Sequence, residues 1–165
     1  MNTSLDQSFA SNSRVWVYQS NRFFTSEEVS KLNEILTQFT QSWAAHSKPL
    51  KSSFAIISNL FVVLMVDQNY GMASGCSIDS SVAVIKKINE TFGVDLLDRL
   101  TISFEENNEI KLLPMFKFQD AIAQNLVNEN TIVFNNLVQT KQEFEQNWRV
   151  ELKNSWHKNL MGLGV

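Results

Sequence analysis

One cysteine, Cys76, and two histidines, His46 and His157, are the whole supply of thiol and imidazole in the 165-residue chain. A lone thiol cannot close an intramolecular disulfide, and a zinc site built from thiolates and imidazoles at ordinary spacing lacks its ligands. No metal and no cofactor is therefore expected. Long apolar runs are missing too: the longest, Leu60 to Val66, covers seven residues, whereas a bilayer-spanning helix needs about 20. The opening stretch, MNTSLDQSFASNS, has no basic region followed by an apolar one, as a secretory signal would. These absences point to a cytoplasmic protein with no membrane span.

Positive charge is also scarce. The net charge is −3, and residues 1–70 hold five basic and five acidic side chains against nine and twelve in 71–165. A protein that neutralises several phosphates is expected to cluster Lys and Arg on one element, and no run here does so. Nucleic acid is not an expected partner.

What the chain does have is apolar bulk. Hydrophobic residues make up 44% of it, including twelve Phe, four Trp and two Tyr. A chain of this length fits one domain and buries roughly two thirds of the surface its unfolded form exposes. Residues 1–13 are polar and without periodicity, which predicts a disordered leader ahead of a single domain over 14–165.

Within that domain RVWVYQ alternates like a strand with both faces covered. Thr25 and Glu28 have the spacing of a capping box, with Phe24 placed to staple onto Val29. Val29, Leu32, Leu36, Phe39 and Trp43 then form one helical stripe, predicting a helix that ends near Ala45. SSFAIISNLFVVLMVD reads as a hairpin turned at Ser58 and Asn59, whose second strand has no polar alternation and so should be central. Ile78, Val82, Ile85, Ile88 and Phe92 mark a second helix, with Ser77 as N-cap and Gly93 as C-cap. TISF and EIKLL predict another hairpin, Pro114 a stop before a short helix, and NTIVF a last strand. Thr140 and Glu143 repeat the capping spacing, and NSWHKNL closes the chain with a helical turn that packs Trp156 inward. The order mixes hairpins and crossovers, which predicts an α+β fold: one mixed sheet of five or six strands backed by helices.

The loop YGMASGCSID is the leading candidate site, because it joins a central strand to a helix N-terminus. There Cys76 reads as a nucleophile activated by unpaired N–H groups, or as a small packing residue. A reactive thiol needs a base, and His46 and His157 are the conventional choices. His46 is otherwise a solvated histidine complementing a helix C-terminus, and His157 a surface histidine. Asp67 reads as base or ligand, or as the acid that begins a turn. Gly71 and Gly75 would let backbone approach a ligand closely, and Ser77 at the expected helix start joins them as a ligand-binding candidate. In FNNLVQTK, the uncharged cluster Asn135, Asn136 and Gln139 could bind a polar ligand or satisfy backbone groups in turns.

The segments VWVYQS, SGCSID, TIVFNNLVQTK and NSWH, spread over roughly Arg14 to Leu160, resemble a family of small bacterial proteins of unassigned function. Some of these carry the automatic label "ABC transporter ATPase". The resemblance implies no catalytic or binding residue at any position. The label itself conflicts with the residues: a P-loop needs G-x-x-x-x-G-K-[ST], and Gly71 to Ser77 offers two glycines and no lysine. The segment ASGCS also departs from an LSGGQ-type signature. The expected function is a binding or interaction module for a protein or a small polar ligand. The alternatives are a Cys76-dependent enzyme or thiol redox sensor with a histidine base, and a homo-oligomer that uses part of the aromatic inventory.

Overall fold

Alternation of Val15 and Val17 with Trp16 and Tyr18 places β1 (Arg14–Gln19) between two apolar layers, as its pattern predicts. The structure, a computed structural model, describes residues 5–164. Thr25 caps α1 (Ser26–Ser42) with the full reciprocal box: its hydroxyl accepts from Glu28 N, and the Glu28 carboxylate accepts from Thr25 N. Arg22 grips the same carboxylate with two bonds of 2.9 Å. That guanidinium and the Thr25 N–H hold the Glu28 carboxyl down at about 2.

Helix α1 stops at Ser42, short of Ala45. Trp43 turns extended there, buries its ring and donates its indole N–H to Ser77 O at 2.8 Å. A small ribbon follows, β2 (Ala44–Ala45) and β3 (Lys48–Pro49), turned by His46 and Ser47, both at positive φ. Two-residue strands lie below what periodicity can reveal.

The hairpin of β4 (Ser52–Ile57) and β5 (Phe61–Val66) turns at Ser58 and Asn59, whose φ values are 56° and 54°. Strand β5 is central in the antiparallel order β1-β5-β4, and its residues are at most 1% exposed. Val62, Leu64 and Val66 pack with α1 and with α2 (Gly75–Phe92), while Phe61, Val63 and Met65 belong to a second apolar cluster. At about 1.5–3 kcal/mol for each fully buried apolar side chain, this strand dominates the layering.

Helix α2 starts earlier than expected. Ser74, not Ser77, is the N-cap, and Ser77 is its reciprocal partner at the third helical position. Gly93 ends the helix at φ 63°, as predicted. A second sheet then forms from β6 (Thr101–Glu106), β7 (Glu109–Pro114), β8 (Ile132–Phe134) and β9 (Arg149–Glu151) in the order β7-β6-β8-β9. Its helices are α3 (Met115–Ala123), begun at Pro114, and α4 (Lys141–Asn147), capped by Thr140. The chain closes in 3-10 turns from Leu152 onward.

The α+β single-domain expectation holds, but the strands divide into several antiparallel sheets instead of one mixed sheet. Helices α1 and α2 cover one face of the first sheet. Its other face shares a cluster with Phe134, Ile110 and Leu112 of the second sheet. Behind that, Ile102, Phe104 and Val133 pack with Phe118 of α3 and Leu160 of the closing turn. The expected disordered leader is corrected as well. Leu5 and Phe9 are 4% and 6% exposed and belong to the cluster between the sheets. Two apolar residues spaced four apart in a polar stretch were enough to anchor it. Residues 1–4 of that expected leader lie outside the described residues.

Candidate functional site

Strand β1 ends in Gln19, a polar residue that enters the interior where the two sheets meet and is 6% exposed. Its amide orientation is unambiguous. Gln19 Nε2 donates to Thr101 O at 3.0 Å, and a carbonyl can only accept. Gln19 Oε1 then accepts from Ser103 Oγ at 2.6 Å and from Asn136 Nδ2 at 3.0 Å. The Asn136 orientation is fixed the same way, since its Oδ1 accepts the Trp148 indole N–H at 2.9 Å and an indole can only donate. Four elements thus converge on one network: the ends of β1 and β6, the segment after β8, and the residue following α4.

This network lines a cavity of about 400 Å³, whose walls also include Val17, Leu96, Arg99, Phe134, Trp156 and His157. The size is at the low end of what small-molecule sites use, and apolar walls with a few fixed polar groups are their usual composition. His157 is 1% exposed, with Nδ1 2.7 Å from the buried Ser155 Oγ, and its ring stacks on Trp156 at 4.0 Å. The expected surface histidine is thus a buried one. Burial pushes it down to about 4, so at neutral pH the ring is an uncharged imidazole. Trp156 is half-buried beside it.

Of the residues singled out from sequence as candidate site residues, Asn136 and His157 belong to this cavity. Asn135 sits just outside, its Oδ1 accepting from Leu137 N in an Asx turn. Gln139 is exposed; its Oε1 accepts from Arg14 Nη1 at 3.4 Å, and its backbone carbonyl accepts from Val15 N. The trio is divided among three tasks.

The loop before α2 is occupied with structure. Asp67 is 1% exposed; Oδ2 accepts from Ala10 N at 3.2 Å and lies 3.5 Å from Lys51 Nζ, while Oδ1 accepts from Asn69 N at 3.1 Å. Burial alone would raise its pKa, but these N–H donors and the ammonium together outweigh it and hold the carboxyl below its ordinary value. Asp67 pins the N-terminal segment and caps a short 3-10 turn, Gln68–Tyr70. Gly71 serves that turn at φ 143°, while Gly75 opens α2 with free space around it. Ser77 is buried in the capping box.

Cys76 is exposed in the first turn of α2. The Trp43 bond to Ser77 brings the His46 turn to the same end of the molecule, where His46 too is exposed, at φ 52°. Among the described residues, no hydrogen bond joins the thiol to either histidine, and His157 lies in the opposite layer against Phe118. His46 does not complement a helix end, because α1 stops four residues earlier. A nucleophile needs a base within about 3 Å and a dry site, and Cys76 has neither arrangement.

Sequence reasoning missed Gln19, Ser103 and Arg99, and it took His157 for a surface residue. Two of these had left a trace: Gln19 and Ser103 are polar residues within strands whose neighbours are buried. Comparison with family models, curated proteins and solved structures finds no match. The geometry alone therefore carries the functional reading. No helix among the described residues is long and apolar enough to cross a membrane.

Proposed function

We infer that this protein is a binding module that holds a small polar molecule in the cavity between its two sheets, without P-loop ATPase chemistry. The observation that carries this reading is the Gln19–Ser103–Asn136 network, whose donors and acceptors are oriented before any ligand arrives. Binding sites gain affinity when their polar groups do not have to be ordered by the ligand. A cluster of amide and hydroxyl groups is costly to bury, and each unfilled donor that faces a cavity is satisfied by a polar guest.

The test is a screen of small polar fragments against the labelled full chain, read by amide and indole chemical shifts. Hits are expected to move Thr101, Ser103, Asn136 and the Trp156 indole together. Leu137→Trp, at an exposed position of the cavity rim, should weaken every such hit. Hits confined to the loop 67–77, or indifferent to the rim substitution, would remove the reading.

A further inference from the structure

A count of donors and acceptors around this cavity narrows the ligand, and the argument rests on the binding reading above. Gln19 Oε1 already accepts two bonds, the Thr101 carbonyl accepts one from Gln19, and Asn136 Oδ1 accepts from Trp148. The carboxylate of Asp98, which also lines the wall, is engaged by its own turn: Oδ1 accepts from Leu100 N at 2.7 Å and Oδ2 from Thr101 Oγ at 2.5 Å. Each of these acceptors is already engaged at least once, and Gln19 Oε1 is filled.

The donors are not all engaged. Each of the Asn136 and Gln19 amides keeps a second N–H beyond the bond it makes. Trp156 lines the cavity, and its indole N–H meets no protein acceptor among the described residues. Arg99, at the exposed edge, makes no ion pair or hydrogen bond among the described residues. The His157 tautomer follows from Ser155. That buried hydroxyl has no acceptor other than His157 Nδ1 among the described residues, so donating to Nδ1 satisfies both groups and leaves the proton on Nε2. The imidazole in the cavity wall is therefore another N–H donor.

We propose that the cavity selects a small carboxylate with a compact apolar body: its oxygens take the Arg99, Trp156 and His157 donors, and its body lies against Val17, Leu96 and Phe134. A guanidinium at the mouth and N–H groups deeper in match an anion's charge and its acceptor-only oxygens. The remaining wall is apolar enough to take hydrocarbon.

The experiment titrates the full chain with sodium benzoate, benzamide and benzylamine hydrochloride, three probes of one shape and different head groups, followed by amide and indole shifts. Benzoate is expected to move the Trp156 indole and the Thr101, Ser103 and Asn136 amides, and to bind at least about tenfold more tightly than benzamide, the usual worth of a charge-assisted bond. Arg99→Gln, which alters an exposed side chain, should abolish that preference while leaving the fold unchanged. Equal binding of benzoate and benzamide, preference for benzylamine, or a benzoate affinity unchanged in Arg99→Gln would each overturn the carboxylate assignment and leave the binding module standing. If none of the three moves these residues, the fragment screen separates the cases: neutral hits at the same residues sink the carboxylate alone, and an absence of any hit there sinks both readings.

Discussion

Ser155 Oγ lies 2.7 Å from His157 Nδ1, and the two side chains are 4% and 1% exposed. The imidazole is held to about 4 by burial, while in the unfolded chain it titrates near 6.5. Between those values the unfolded state binds a proton that the folded state refuses. Stability therefore falls as the pH drops from about 6.5 to about 4 and loses nothing more from this group below that. The interval corresponds to on the order of 3 kcal/mol at most. Urea unfolding at pH 7, 5.5 and 4.5 should show the decline in the native sequence and a flatter course in His157→Gln. The lowered carboxyls Asp6, Glu28 and Asp67 add losses that begin near pH 5 and continue below it, and both proteins share them. Parallel curves for the two proteins would show that the imidazole is not sealed.

Phe9 is 6% exposed in the cluster between the sheets, and Lys51 Nζ sits 4.8 Å over its ring while donating to the Asp67 carboxylate. The N-terminal segment is therefore a structural part of the domain. Phe9→Ala should cost about 3 kcal/mol, the low end for a core phenylalanine because the site borders solvent. Asp67→Ala should cost about 2 kcal/mol by leaving the Ala10 and Asn69 N–H groups without their acceptor. Hydrogen exchange provides the local check: the Ala10 amide should lose protection in Asp67→Ala before the β5 amides do. An unchanged stability in both variants would restore the idea of a loose leader.

Much of the fold was legible because its signals are local. Thr25 and Glu28 announce a helix start by spacing alone, Ser58 and Asn59 announce a turn by tolerating positive φ, and the unbroken apolar run of β5 announces a strand covered on both faces. The division into separate antiparallel sheets was not legible, since it depends on which strands meet across the chain, and neither period nor propensity encodes the partner. The site was mostly hidden for the same reason. Gln19, Ser103 and Asn136 lie 84 and 117 residues from one another along the bonds that join them, and only their polarity in buried surroundings set them apart. Cys76 drew notice because cysteine is rare here, and rarity is not geometry.

Cys76 itself should be dispensable. It occupies an exposed position in the first turn of α2, while the capping is done by Ser74 and Ser77. Cys76→Ser is therefore expected to shift stability by no more than about 0.5 kcal/mol, whereas Ser74→Ala should cost about 1 kcal/mol through the lost cap. A maleimide should label the native chain at one site without denaturant and leave its thermal midpoint unchanged. A Cys76→Ser variant less stable than Ser74→Ala would mean that the thiol carries structural weight its exposure does not suggest.

Asn136 joins the cavity to the aromatic core, since it is the only acceptor among the described residues for the indole N–H of Trp148, which is 1% exposed and stacked on Phe144 at 4.6 Å. Asn136→Leu orphans that N–H and removes a donor from Gln19 Oε1, so it should cost about 1–3 kcal/mol at any pH near neutrality. Asn136→Asp is the more informative change. Its carboxylate still accepts from Trp148, but its second oxygen would face Gln19 Oε1, acceptor against acceptor. Gln19 cannot relieve the conflict by turning its amide, because that would set its oxygen against the Thr101 carbonyl. A protonated aspartic acid restores the donor, which raises the folded-state pKa above the unfolded value of about 3.9. The deficit of Asn136→Asp should therefore shrink as the pH falls toward 4, while that of Asn136→Leu stays constant. Urea titrations of both variants against the native sequence across that range decide it, and a deficit in Asn136→Asp that does not respond to pH would show that Gln19 is free to reorient.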